Sequence, residues 1–148
     1  MKRHTGFTLV EVMIAMAIIA IILAVAVPSY SGYKEKVDVG LVEFDMLQIS
    51  GDLARYYASK DSYPPDLTTL GDVPKDPWGN PYKYLNMALV NGNGKKRKDH
   101  NLVPLNTDYD LYSMGPDGKS VSPLTAKHSR DDIIRANNGR YIGPAADY

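Results

Sequence analysis

Cysteine is absent from this chain of 148 residues, which excludes disulfides, thiolate zinc sites and cysteine nucleophiles together. Histidine is scarce: His4, His100 and His128 lie too far apart to form a ligand pair of helical spacing, which argues against a zinc enzyme. Net charge is missing as well. Seventeen basic residues balance 17 acidic ones, so the chain carries no electrostatic footprint for nucleic acid. There is no nucleophile motif, phosphate loop or convincing carboxylate pair, so the chain reads as non-enzymatic. A membrane-anchored binding module is the less favoured alternative. No internal repeat or long low-complexity tract is visible.

What is present begins at the N-terminus. After Met1-Lys2-Arg3-His4-Thr5-Gly6, the run from Phe7 to Val27 holds only two polar residues, Thr8 and Glu11. At about 1.5 Å per residue such a run spans the roughly 30 Å hydrocarbon core of a bilayer as a helix. Glu11 is out of place there, because a carboxylate inside a membrane helix is costly and marks a functional position with a partner.

Three readings compete for residues 1–27. A secretory signal fits the charged Lys2-Arg3 start and the small-x-small sequence Ala24-Val25-Ala26. Its apolar run is too long, however, and contains an acid. A plain single-span anchor explains the length, and its basic flank places the N-terminus in the cytoplasm, but it leaves Glu11 as an unexplained cost. The third reading rests on Gly6-Phe7-Thr8-Leu9-Val10-Glu11, which resembles the class III leader of type IV pilins and their relatives. That resemblance implies cleavage by a prepilin peptidase after Gly6, leaving Phe7 as an N-methylated terminus four residues before Glu11. Only this reading leaves no residue unexplained.

The physical chemistry agrees with it. A new amine on Phe7 and a carboxylate on Glu11 offset each other's desolvation when they meet between subunits shifted by about one helical turn. Glu11 then acts as an assembly register, the best-attested use of a buried polar group. Pro28 closes the apolar run and predicts a kink where the helix leaves the membrane, with a local melt as the variant and simple termination as the plain alternative.

Beyond Pro28, Val39, Val42, Met46, Ile49, Leu53 and Tyr56 step by three and four residues, the stripe of an amphipathic helix that docks on a globular head. Leu41, Phe44 and Leu47 point elsewhere, and sequence leaves open whether they serve the head core or a contact between subunits. Tyr63-Pro64-Pro65 ends the helix, and Asp66 is the candidate cap of a short turn over Leu67 to Leu70. Asp76-Pro77-Trp78-Gly79-Asn80-Pro81 reads as a rigid turn with Trp78 in the core. Strand-like stretches follow at Tyr82 to Met87 and Asp108 to Met114. Between them, Asn91-Gly92-Asn93-Gly94 and the basic run Lys95 to Lys98 read as the solvated tip of a hairpin.

The segments DPWGNPYKYL at Asp76 to Leu85, DYDLYSMGPDG at Asp108 to Gly118 and DDI at Asp131 to Ile133 resemble the major pseudopilins of type II secretion systems. The resemblance implies an α+β fold in which a long N-terminal helix packs on a small antiparallel sheet. It divides the chain into a leader (1–6), a membrane and filament-core helix (7–27), an amphipathic half-helix (28–59) and a periplasmic head (60–148). It also implies calcium in the loop after the last main strand, with Asp117, Asp131 and Asp132 as carboxylate ligands and the Met114 carbonyl as a fourth donor. This chain departs from the pattern. Lys119 to Arg130 is longer and more basic than expected, and Asp131-Asp132 runs directly into Ile133, so one of the two is also a candidate cap of a helical turn.

The implied role is a structural subunit of a periplasmic filament in protein export. Its partners are other copies of the chain, the prepilin peptidase, minor pseudopilins and the inner-membrane assembly platform, with no nucleic acid. It would cross the inner membrane once, with its N-terminus cytoplasmic and its head periplasmic. The alternative is a type IV pilus major pilin used for adhesion or motility.

Overall fold

The computed structural model describes residues 6–99 and 103–148, so His4, His100 and most of the expected leader lie outside the described residues. Helix α1 spans Leu9–Lys60, and the chain divides into two compact units between Val37 and Asp38.

In the first unit α1 holds an apolar stretch long enough to cross a membrane, and that stretch is not buried. Leu9 is 78% exposed and Ile21 69%. The helix continues through Pro28 without interruption, so the local melt does not form. Proline has no N–H to offer the preceding turn. Nearby carbonyls find side-chain donors instead: the Ser29 hydroxyl donates to Val25 O and the Ser31 hydroxyl to Pro28 O, each at 2.9 Å. Serine bonds of this kind locally replace or share backbone acceptors and tend to bend a helix.

The second unit joins the rest of α1 to a four-stranded antiparallel sheet. Its strands are β1 (Lys83–Asn86), β2 (Tyr109–Ser113), β3 (Ile133–Ala136) and β4 (Tyr141–Pro144), in spatial order β1-β2-β3-β4. The predicted stripe docks, apart from Tyr56, which lies outside the buried cluster. Val42, Met46, Ile49 and Leu53 are buried in one cluster with Tyr82, Tyr109, Leu111 and Ile133, and Val39 packs against its edge. The Tyr82 hydroxyl ties the sheet side to the helix by donating to the Asp45 carboxylate at 2.8 Å. Leu41, Phe44 and Leu47 are 50 to 59% exposed, so they are not head core.

Asp66 caps the 3-10 turn Leu67–Leu70 as predicted, accepting from the Thr69 N–H. Trp78 packs at the edge of the main cluster. Both predicted strands form, one residue inside their expected limits at each end.

Two expectations are corrected. First, no helical turn follows Asp131-Asp132, because Ile133–Ala136 is β3 and alternates as a strand does: Ile133 enters the helix-side cluster, while Ile134 enters a second one with Leu105, Leu124, Ala136 and Ala145. The sheet accordingly has apolar cover on both faces, with Tyr109 and Leu111 of β2 in the first cluster and Tyr112 packed against the second. Second, the basic run is not a solvated tip. Lys98 bridges to Pro104 and to Pro123, and Arg97 is only 4% exposed.

Candidate functional site

At the N-terminus, Gly6 and Phe7, the expected processing site, precede the helix and are exposed. Leu9 is the first helical residue, which makes Thr8 the N-cap and Glu11 the third residue of the helix. The two exchange bonds. Thr8 donates to Glu11 Oε2 from its backbone N–H at 2.8 Å and from its hydroxyl at 2.8 Å, while the Glu11 N–H donates to the Thr8 hydroxyl oxygen at 3.3 Å. This is a capping box, and it satisfies N–H groups that the first turn of any helix leaves without partners. The positive end of the helix dipole also favours a carboxylate there. Within a single chain, therefore, Glu11 is already partnered.

In the head, the turn at Asp76 and the loop after β2 form one clasp. Asp76 Oδ2 accepts from the Ser113 hydroxyl at 2.6 Å, and Asp76 Oδ1 accepts from the backbone N–H groups of Asn80 and Trp78 at 2.7 and 3.2 Å. The Asn80 side-chain amide then donates to Gly115 O at 3.1 Å. Gly115 must be glycine. Its φ is +62°, and a Cβ there would lie 2.2 Å from Asp131 O. The loop is thereby pressed against the start of β3.

The expected calcium donors fare unevenly. The Asp117 backbone N–H donates to Asp131 Oδ2 at 3.2 Å, which brings these two residues together. The Asp117 carboxylate, however, faces His128 Nδ1 at 2.9 Å and accepts from the Lys119 N–H at 2.7 Å, and these partners hold it below the usual carboxylate range. Asp132 is fully buried and turned to Arg97, with Nη2 to Oδ2 at 2.5 Å, while the Ser120 hydroxyl donates to the same oxygen at 2.6 Å. Burial pushes the Asp132 carboxyl up, and Arg97 opposes the shift. Among the described residues, no group of three or more acidic, histidine or cysteine side chains is disposed to hold a metal ion. Calcium takes six to eight oxygens, whereas the Asp117 and Asp132 carboxylates are turned here to His128 and Arg97.

With this geometry in hand, the relatives of the chain can be placed. A prokaryotic N-terminal methylation motif matches residues 1–27. The type II secretion system core protein G of Klebsiella pneumoniae is 28% identical over 90% of this chain and 94% of the relative. That of Vibrio cholerae is 33% identical over 80% of this chain and 85% of the relative. The chain belongs to the type II secretion core protein G family. Among solved structures, the major pseudopilin from the type 2 secretion system of enterohaemorrhagic Escherichia coli is similar at 25% identity, with a TM-score of 0.49 over 70% of this chain and 90% of that one.

For this core protein G homologue, sequence reading missed two functional partners. Thr8 was legible: Thr8-Leu9-Val10-Glu11 has the Thr-x-x-Glu spacing of a capping box. Arg97 was not, because nothing in a run of four basic residues marks which one turns inward.

Proposed function

We propose that this chain is a structural, non-enzymatic subunit of a type II secretion pseudopilus in the periplasm. A prepilin peptidase cuts after Gly6, Phe7 becomes an N-methylated terminus, and the residues from Phe7 onward stay in the inner membrane with the head periplasmic. Copies then associate through their apolar helices into a helical filament built on the assembly platform and joined by minor pseudopilins. The filament acts in moving folded proteins across the outer membrane. The observation that carries this reading is Glu11 in its leader context, in a chain of the core protein G family.

The geometry at Thr8 supports the reading with a mechanism. In a waiting monomer the Glu11 carboxylate is kept satisfied by its own helix start. Cleavage creates a cationic amine one residue before Thr8, and on assembly Glu11 exchanges or shares its Thr8 bonds with the Phe7 amine of a neighbour. Neither charge is then left alone in apolar surroundings, where an unpartnered charge is expensive. The exposed face of Leu41, Phe44 and Leu47 suits a second copy of the chain for the same reason: an apolar stripe left outside the head core needs cover.

Glu11→Leu, expressed in a strain lacking the native subunit, tests the proposal. The variant is expected to be cleaved and membrane-inserted, yet to yield no sheared filaments and no secretion. Filaments of normal yield would refute the register role of Glu11.

A further inference from the structure

The loop between β2 and β3, residues 114–132, is poorly held by apolar packing, since Leu124 is its one buried aliphatic side chain. Polar contacts pin it instead, and one side chain gathers three of its residues. Arg97 enters from a segment 35 residues before Asp132. Its Nη2 meets Asp132 Oδ2, and its Nη1 donates to Val121 O at 3.0 Å and to the Ser120 hydroxyl. The guanidinium plane lies 4.3 Å from the centroid of the Tyr112 ring on β2, and the Arg97 backbone N–H donates to Asp110 Oδ2 at 2.7 Å. Arg97 and Asp132 are 4% and 0% exposed. The guanidinium thus joins β2, the loop and the entry to β3 at one point.

We propose that Arg97 is the resident cation of this loop, and that the head holds its β2–β3 connection without calcium. The donor set favours a guanidinium over a metal ion. A planar fork with five N–H donors fits one carboxylate oxygen, one hydroxyl and one carbonyl arranged around it, with an aromatic ring beneath. A divalent ion on Asp132 would stand within a few ångströms of a permanent positive charge, since arginine does not deprotonate in proteins. Among the described residues, the buried polar atoms without a partner around this loop are Asp132 Oδ1 and Arg97 Nε, one acceptor and one donor of the same ion pair. A single acceptor falls far short of six to eight oxygens. Of the remaining two expected acids, Asp117 is paired with His128, and Asp131 accepts from the Asp117 N–H through one oxygen. The Lys residues around Arg97 cannot substitute, because an ammonium offers no planar fork and Lys95, Lys96 and Lys98 all stay at least partly exposed. A cation carried by the chain makes the hold on the loop independent of ion supply, and the proposal stands whether or not filaments form.

The test uses the full chain, purified in detergent as a monomer, with melting followed in excess chelator and in millimolar calcium. The wild type is expected to melt at the same temperature in both. Arg97→Met, which strands a buried carboxylate, is expected to melt lower by roughly 10 to 20 °C. Arg97→Met combined with Asp132→Leu, which leaves no charge to bury, is expected to recover most of that loss. Asp117→Ala is expected to change the melting temperature little and to introduce no calcium response. A wild-type melting temperature raised by calcium and reversed by chelator overturns the proposal, whether or not Arg97→Met folds. So does an Arg97→Met protein that melts like the wild type.

Discussion

One helix runs through two regions that treat their apolar side chains in opposite ways. Before Val37 every large apolar side chain of α1 is more than half exposed or close to it, whereas after Asp38 the stripe Val42, Met46, Ile49 and Leu53 is at most 3% exposed. The second region completes its own core. The first leaves its apolar side chains uncovered within a single chain, as a membrane-anchored segment does. Each region also holds an acid that looks misplaced in sequence. Glu11 is held by a capping box at an exposed helix start, while Asp132 is locked to Arg97 beyond the reach of solvent. On the proposed assembly route the first acid exchanges its partner and the second keeps its own.

Substitutions sharpen this contrast in descending order of effect on the head. Leu53→Ala removes a fully buried side chain from the helix-side cluster and is expected to lower stability by about 2–5 kcal/mol, read from urea unfolding followed by Trp78 fluorescence. Gly115→Ala must relieve a contact with Asp131 O and a positive φ, and an expected loss of about 2–4 kcal/mol should appear in the same titration. Asn80→Ala deletes one link of the clasp to Gly115 O and is expected to lose about 1 kcal/mol, with faster proteolysis in the 114–132 loop. Phe44→Ala lies on the uncovered face and should leave head stability within about 0.5 kcal/mol while reducing filament yield. Were Phe44→Ala to unfold the head, that face would belong to the core and the contrast would collapse.

The sequence carried much of this organisation because the signals were local. A step of three and four residues placed the Val42 to Leu53 stripe on one helix face, and alternation from Asp108 to Met114 located β2. Asp66 read as a cap because capping depends on residues only three apart. Strands β3 and β4 escaped, since Ile133–Ala136 contains Arg135 at a position that burial would seem to forbid. Arg135 is buried only because Asp108 takes two of its N–H groups at 2.8 and 2.7 Å and Tyr109 lies beneath it at 3.9 Å, partners 26 and 27 residues away. Arg97 escaped for the same reason: its partners Ser120, Val121 and Asp132 become neighbours only when the sheet forms. The two motifs around Asp76 and Gly115 were each visible, but their clasp was not, because it is written in hydrogen bonds spanning 35 and 37 positions.

The spatial order of the sheet is its chain order, with each new strand laid beside the one before it. No strand has to be inserted between two that are already paired, and no early strand waits for the C-terminus to find its neighbour. The head can therefore be assembled strand by strand in chain order, with the growing edge of the sheet carried at each moment by the most recently added strand.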